Sequence, residues 1–182
     1  MDIVKPFKDA WEIYIKNFLT ILLATLITII LGMITLGILI LPLVVGLQML
    51  FVKAKRGQPI ALNDIFAPIK RISAIYFSGI WICILVAIGL ILLIVPGLCW
   101  ASWWMYSLLF IFDKGLGIGA GMRASKEIVR KNNLWMHLIL ILLVGFIMNV
   151  GNFIPMLNIA LDILLMPLAL GAIACAYVEE AK

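Results

Sequence analysis

Residues 18–52 read FLTILLATLITIILGMITLGILILPLVVGLQMLFV, a stretch without one Asp, Glu, Lys or Arg. A membrane-crossing helix needs about 20 apolar residues. The stretch is therefore long enough for two such helices joined by a tight turn near Gly37. Residues 72–112 and 138–161 are free of charge in the same way. The basic residues gather between these blocks, at Lys5, Lys8 and Lys16, at Lys53, Lys55, Arg56, Lys70 and Arg71, and at Lys114, Arg123, Lys126, Arg130 and Lys131. Three hairpins that start and end on one face produce this distribution, and the positive-inside rule makes that face cytoplasmic. The expected spans are 18–35, 38–54, 75–94, 97–112, 134–151 and 157–177. The outer turns fall near Gly37, Pro96-Gly97 and Asn152–Pro155.

Composition supports a bilayer as solvent. Of 182 residues, 65% are hydrophobic and 13% charged, with a mean hydropathy of +1.21. A soluble domain is roughly half apolar and a quarter charged. Six spans with short loops use nearly the whole chain, which is read as a single integral membrane domain over 1–182. The net charge of +5 is mainly a topology signal, and it favours anionic head groups. Nucleic-acid binding is not expected, because the basic residues are split over three short segments flanked by membrane helices. The charged region ahead of the first apolar block is too long for a cleavable signal peptide.

Each hairpin is preceded by an amphipathic segment suited to the cytoplasmic interface. In the first, about 2–17, Ile3, Phe7, Trp11, Tyr14 and Phe18 form a stripe opposite Lys5, Lys8, Asp9, Glu12 and Lys16. In the second, about 62–75, Leu62, Ile65, Ile69, Ile72 and Tyr76 form the stripe, with Asn63 or Asp64 as cap. In the third, about 118–132, Ile118, Met122 and Val129 oppose Arg123, Lys126, Arg130 and Lys131. Letters repeat as well. Glu12-Ile13 with Lys16-Asn17 recurs as Glu127-Ile128 with Lys131-Asn132, and Pro42-Leu43 with Gly46 recurs as Pro167-Leu168 with Gly171. Three units of about 1–58, 59–114 and 115–182 follow. They run the same way through the membrane and are related by rotation about its normal.

The search for chemistry finds little. His137 is the one histidine, so a multi-histidine metal site is excluded; it is read as an interfacial residue held by a neighbour or water. Cys83, Cys99 and Cys175 lack CxxC spacing and are read as small apolar fillers. No cofactor is expected. Asp162 is the one acidic residue inside a span, a functional candidate by default. With Asn149, Asn152 and Asn158 it would make a polar pocket near the outer end. Glu12 and Glu127 are expected to pair with Lys16 and Lys131 one turn on. Pro42 and Pro167 are candidate hinges or kinks. Trp100, Trp103 and Trp104 are read as an aromatic belt. Glycines 115, 117, 119 and 121 match no phosphate-loop spacing and are read as a joint into the third amphipathic segment.

Ala10-Trp11 with Lys16-Asn17, Pro42 with Gly46, Asp64-Ile65-Phe66, Ile94-Val95-Pro96-Gly97, Asp113, and Ala124-Ser125 before Lys131-Asn132 follow one another along almost the whole chain. In that order they resemble a bacterial family of six-span membrane proteins that includes YciC-like proteins and the membrane domain of some glycerophosphodiester phosphodiesterases. The resemblance implies a lipid neighbourhood and carries over no catalytic residue.

The expected fold class is all-α: six transmembrane helices in three hairpins, each preceded by an amphipathic interfacial helix. The expected location is the inner membrane, with both termini cytoplasmic. The function expected is non-enzymatic, the binding or handling of lipid or another amphiphile. Arg123, Lys126, Arg130, Lys131, Lys70 and Arg71 are the candidate contacts to lipid head groups, anionic ones above all. Rival readings are a small channel or secondary transporter, resting on Asp162 and the prolines, and a partner subunit of another membrane protein. A homo-oligomer is compatible with each.

Overall fold

The structure, a computed structural model, describes residues 4–149 and 158–181. It is all-helical, with no strand among the described residues. The helices are α1 (Val4–Lys16), α2 (Phe18–Ile34), α3 (Ile40–Lys55), a 3₁₀ segment η1 (Leu62–Arg71), α4 (Ile72–Leu92), α5 (Ile94–Trp104), α6 (Ser107–Asp113), α7 (Ile118–Lys131), α8 (Leu134–Asn149) and α9 (Asn158–Glu180). Leu62–Leu92, Ile94–Asp113 and Ile163–Glu180 are each long and apolar enough to cross a membrane. The count rises to five if α1 with α2, and α7 with α8, each form one bent span. At 16 residues, α3 is about 24 Å long at 1.5 Å per residue, short of a full span.

Consecutive apolar helices pack together: α2 on α3, α4 on α5, and α8 on α9. Helices α3 and α9 form the centre. Leu43, Leu47, Leu50 and Phe51 of α3 are fully buried, as are Ala172, Ala174, Cys175, Ala176 and Tyr177 of α9. Between helices with apolar surfaces all round, small residues set how closely backbones approach. A Cβ on Gly171 would lie 2.5 Å from the Phe51 ring, and one on Gly46 would collide with the Ile65 carbonyl. Helix α4 is peripheral, with only 17% of its apolar window buried against 61% for Ile163–Glu180. Buried hydroxyls stay satisfied within their own helix. Thr25 and Thr28 donate to the Ile21 and Ala24 carbonyls at 2.8 Å, the usual solution where water is absent.

Two amphipathic helices meet the next apolar helix at an elbow. The angle is 98° between α1 and α2 and 110° between α7 and α8. At the first elbow, Asn17 donates from its amide nitrogen to the Ile13 carbonyl at 3.1 Å. At the second, Asn133 adopts a φ of +79, and its side chain accepts the Trp135 N–H at 3.1 Å. Asn is the residue besides Gly that takes this conformation most readily.

Several expectations are corrected. Helix α1 turns Pro6, Ala10 and Tyr14 inward and packs on α9. Trp11 and Phe18 of the expected stripe are about half exposed, and Ile3 lies outside the described residues. Segment 62–71 is 3₁₀, and its three-residue period lines up Leu62, Ile65 and Pro68 in one row. That row replaces the 3.6-period stripe, with Ile65 and Pro68 buried against α3. The cap is Asp64, whose side chain accepts the Ala61 N–H at 3.0 Å. The second turn lies at Leu93, with extended backbone. Pro96 and Gly97 fall in the first turn of α5, where proline loses no helical bond. The expected span 97–112 falls within the candidate span Ile94–Asp113, which has a turn between α5 and α6. The third turn, Asn152–Pro155, lies outside the described residues.

One contact changes the expected layout. Tyr76, placed at the cytoplasmic face by the sequence, donates its hydroxyl to the Gly37 carbonyl at 3.1 Å and to that of Ile38. These are the residues of the expected outer turn. Segment η1 climbs along α3, so α4 starts beside the α2–α3 turn. Ile38 precedes the N-cap of α3, so its carbonyl lies outside the helical ladder, and Tyr76 supplies a donor to it.

Gly46 gives a direct test. Gly46→Val is expected to destabilise by about 3 kcal/mol or more through overpacking. Gly145→Val, where a Cβ meets nothing within 4 Å, should cost about 1 kcal/mol or less. Thermal unfolding in detergent checks this, and equal losses would refute the α3–η1 packing.

Candidate functional site

The helix ends that carry charge converge at one end of the bundle. Arg56, just past α3, holds Asp113 at the end of α6 through two parallel bonds of 2.6 and 2.7 Å. Tyr177 of α9 donates to the same carboxylate at 2.7 Å, and the Asp113 side chain is 7% exposed. A bidentate guanidinium and a phenol saturate this carboxylate, the strong form of a charge-assisted bond. Lys55 binds Asp9 of α1 and lies 3.7 Å from Glu179, which also takes Lys5 at 2.7 Å. Lys53 holds Asp64 at 2.7 Å. Arg71 donates to the Ile111 carbonyl at 2.7 Å, near the end of α6, where a cation also meets the negative end of the helix dipole.

His137 belongs to the same region and is fully buried. Its Nδ1 faces the Asn133 carbonyl at 3.0 Å and its Nε2 faces Glu180 at 2.6 Å. A carbonyl only accepts, so Nδ1 carries a proton. The Nε2–carboxylate contact then holds one further proton between the imidazole and Glu180. The sequence reading placed His137 at the interface without a named partner and missed Glu180. The legible clue was two acids, Glu179 and Glu180, closing a helix whose end meets basic segments.

Helix α7 presents the expected basic face. Arg123, Lys126, Arg130 and Lys131, with Glu127, line one open cleft of about 480 Å³. Its inner face is fixed at the break between α5 and α6. There Ser125, buried, donates to the Trp103 carbonyl at 2.7 Å and accepts the Tyr106 N–H at 3.2 Å. Lys126 lies over the Trp103 ring, 4.3 Å from its centre, a cation–π contact. Trp103 thus meets α7 rather than standing in an aromatic belt. The glycines leading into α7 have separate roles: Gly115 has a φ of +69, Gly117 precedes the first turn, and Gly121 packs on Ile111.

The other candidates are dispersed. Lys70 is exposed and away from the basic cleft, and Arg71 is committed to Ile111. Asn149 donates to the Gly145 carbonyl at 2.8 Å. Asn152 lies outside the described residues, as do the side chains of Asn158 and Asp162. Pro42 sits in the first turn of α3, not at a kink; Pro167 is inside α9, and both are buried. The pairs expected along the helices, Glu12–Lys16 and Glu127–Lys131, are not among the ion pairs of the described residues. Cys83, Cys99 and Cys175 are free thiols. Among the described residues no three His, Cys, Asp or Glu side chains group to hold a metal ion.

Comparison with family models, with curated proteins and with solved structures finds no match.

Asp113→Asn should destabilise by about 2 kcal/mol, because it weakens the charge-assisted bonds that join the little-exposed Asp113 side chain to Arg56 and Tyr177. Tyr177→Phe removes one bond and should cost about 1 kcal/mol. Denaturation of the two variants in the same detergent checks the order, and the reverse order would contradict the site as drawn.

Proposed function

We propose that the chain is a non-enzymatic integral membrane protein that binds lipid head groups at a basic cleft on α7. The observation that carries this reading is the cleft lined by Arg123, Lys126, Arg130 and Lys131, on a helix turned 110° from the apolar helix that follows it. If α8 crosses the bilayer, α7 lies along the surface, with its cations at head-group depth. Fixed guanidinium and ammonium groups there suit phosphate, and Arg adds bidentate geometry. Trp11, Ile15 and Phe18, exposed on the other elbow, suit the same depth.

The topology that goes with this reading is six spans in three hairpins, repeated over about 1–58, 59–114 and 115–182. The protein would lie in the inner membrane with both termini cytoplasmic. The three long apolar helices and two bent pairs support it. The short α3 and the Tyr76 contact then require strong tilt or local thinning at the first hairpin. The resemblance to the six-span family points the same way.

In nanodiscs of mixed phosphatidylcholine and phosphatidylglycerol, native mass spectrometry should find the anionic lipid enriched on the protein. Each of Arg123→Gln and Arg130→Gln should lower that enrichment about fivefold, from about 1 kcal/mol per cation. Equal retention of both lipids would overturn the function. A reporter fused after Lys182 should be active only on the cytoplasmic side, and external activity would overturn the topology.

A further inference from the structure

The two elbows carry two matching clefts. One, of about 420 Å³, lies between the end of α7 and the end of α9 and is lined by Glu127, Lys131, Asn132, Glu179 and Glu180 among others. The second, of about 530 Å³, lies between the end of α1 and the segment after α3, with Glu12, Lys16, Asn17, Ala54 and Gln58 among its walls. The same four residue types at the same spacing, Glu-Ile and Lys-Asn, thus form both clefts. In each the Asn N–H closes the helix on the Ile carbonyl at 3.0 Å. In neither does the Glu pair with the Lys one turn on, so both charges are available to a ligand.

The clefts differ at the wall opposite the elbow. Counting from the matched prolines, Glu179 corresponds to Ala54, which lines the second cleft, and Glu180 to Lys55, which does not line it and binds Asp9 instead. Glu180 is the unusual group. Its side chain is 7% exposed. One carboxylate oxygen binds His137, and the other, Oε1, is buried with no hydrogen-bond partner among the described residues. A buried acceptor left unpaired is costly, and a carboxylate oxygen answers best to a charged donor. Glu127 and Lys131 are shared with the basic cleft on the other side of α7. An acidic cleft and a basic cleft therefore flank one helical ridge.

We propose that the α7–α9 cleft binds a primary ammonium group, supplied by the head group of an aminophospholipid whose phosphate lies against the Arg130–Lys131 side of the ridge. The ammonium donates to Glu180 and Glu127, and Asn132 closes the rim. N–H donors to the two carboxylates are needed, so a quaternary trimethylammonium of the same charge does not satisfy the site. The α1–α2 elbow, without the opposing carboxylates, lacks this selectivity. The proposal rests on the head-group reading above and names its ligand class.

Native mass spectrometry of the full chain, exchanged into phosphatidylethanolamine, phosphatidylcholine or phosphatidylglycerol, tests it. The ethanolamine lipid should be retained about tenfold over the choline lipid, as one charge-assisted bond implies. Glu180→Gln and Glu127→Gln should bring that ratio close to one, with Glu12→Gln leaving it unchanged. Retained binding of the glycerol lipid by Glu180→Gln shows that the variant is folded. Soluble phosphoethanolamine is the competing source. If it displaces the lipid at equal concentration, the ammonium site stands and its ligand is the free molecule. If ethanolamine and choline lipids are retained equally while the glycerol lipid is preferred, the ammonium site is wrong and the head-group reading survives. If all three are retained equally, both fall.

Discussion

Helices as apolar outside as inside gain little by burying side chains on one another once lipid surrounds them. In the bilayer setting proposed above, the constraint that shapes this protein is therefore backbone proximity at its centre and charge at its rim. Helix α9 meets its neighbours with Ala169, Gly171, Ala172, Ala174 and Ala176, and α3 brings Gly46 against the backbone of η1. Dispersion over such short distances replaces the hydrophobic term. At the rim, where water is near, ion pairs that would be weak on a soluble surface become useful when half-buried. Arg56, Asp113 and Tyr177 join α3, α6 and α9 in one knot.

Helix breaks follow the same logic. A chain surrounded by hydrocarbon cannot leave carbonyl or amide groups bare. The break between α5 and α6 is closed by Ser125 from α7, and the Ile38 carbonyl ahead of α3 is closed by Tyr76 from α4. Each repair is made by a side chain from a different helix, so each also docks that helix. The basic face of α7 owes its orientation to a serine buried on the opposite side. The surface proposed to meet head groups thus has a fixed backing.

Much of this was legible in the sequence, for identifiable reasons. Charge-free blocks and helical stripes report local environment, so the apolar helices, the amphipathic α1 and α7, and the cations at positions 123, 126, 130 and 131 could be read directly. The stripe on η1 could not, because a 3.6-residue period was assumed where Pro68 favours a three-residue one. The α1 stripe was read as one lipid-facing row, but the protein divides it: Tyr14, with Pro6 and Ala10, turns inward, and Trp11 and Phe18 stay exposed. Only the position of α9 makes that division. Partners distant in sequence were out of reach. His137 with Glu180, and Arg56 with Asp113, are separated by 43 and 57 positions, and no local pattern links them.

The proposed repeat offers an explanation for why the ends attract. Thirteen residues after Pro42 the chain reads Lys55-Arg56; thirteen after Pro167 it reads Glu180, preceded by Glu179. If the matched ends bore charges of one sign, they would meet at the same rim and repel. With opposite signs Lys55 lies 3.7 Å from Glu179, and Arg56 is free to take Asp113 from the middle segment. The same difference puts Glu179 and Glu180 on the wall of the α7–α9 cleft, where the α1 cleft has Ala54. A change at matched positions thus serves two ends: it holds the helix ends together, and it makes chemically different two clefts that share their elbow residues.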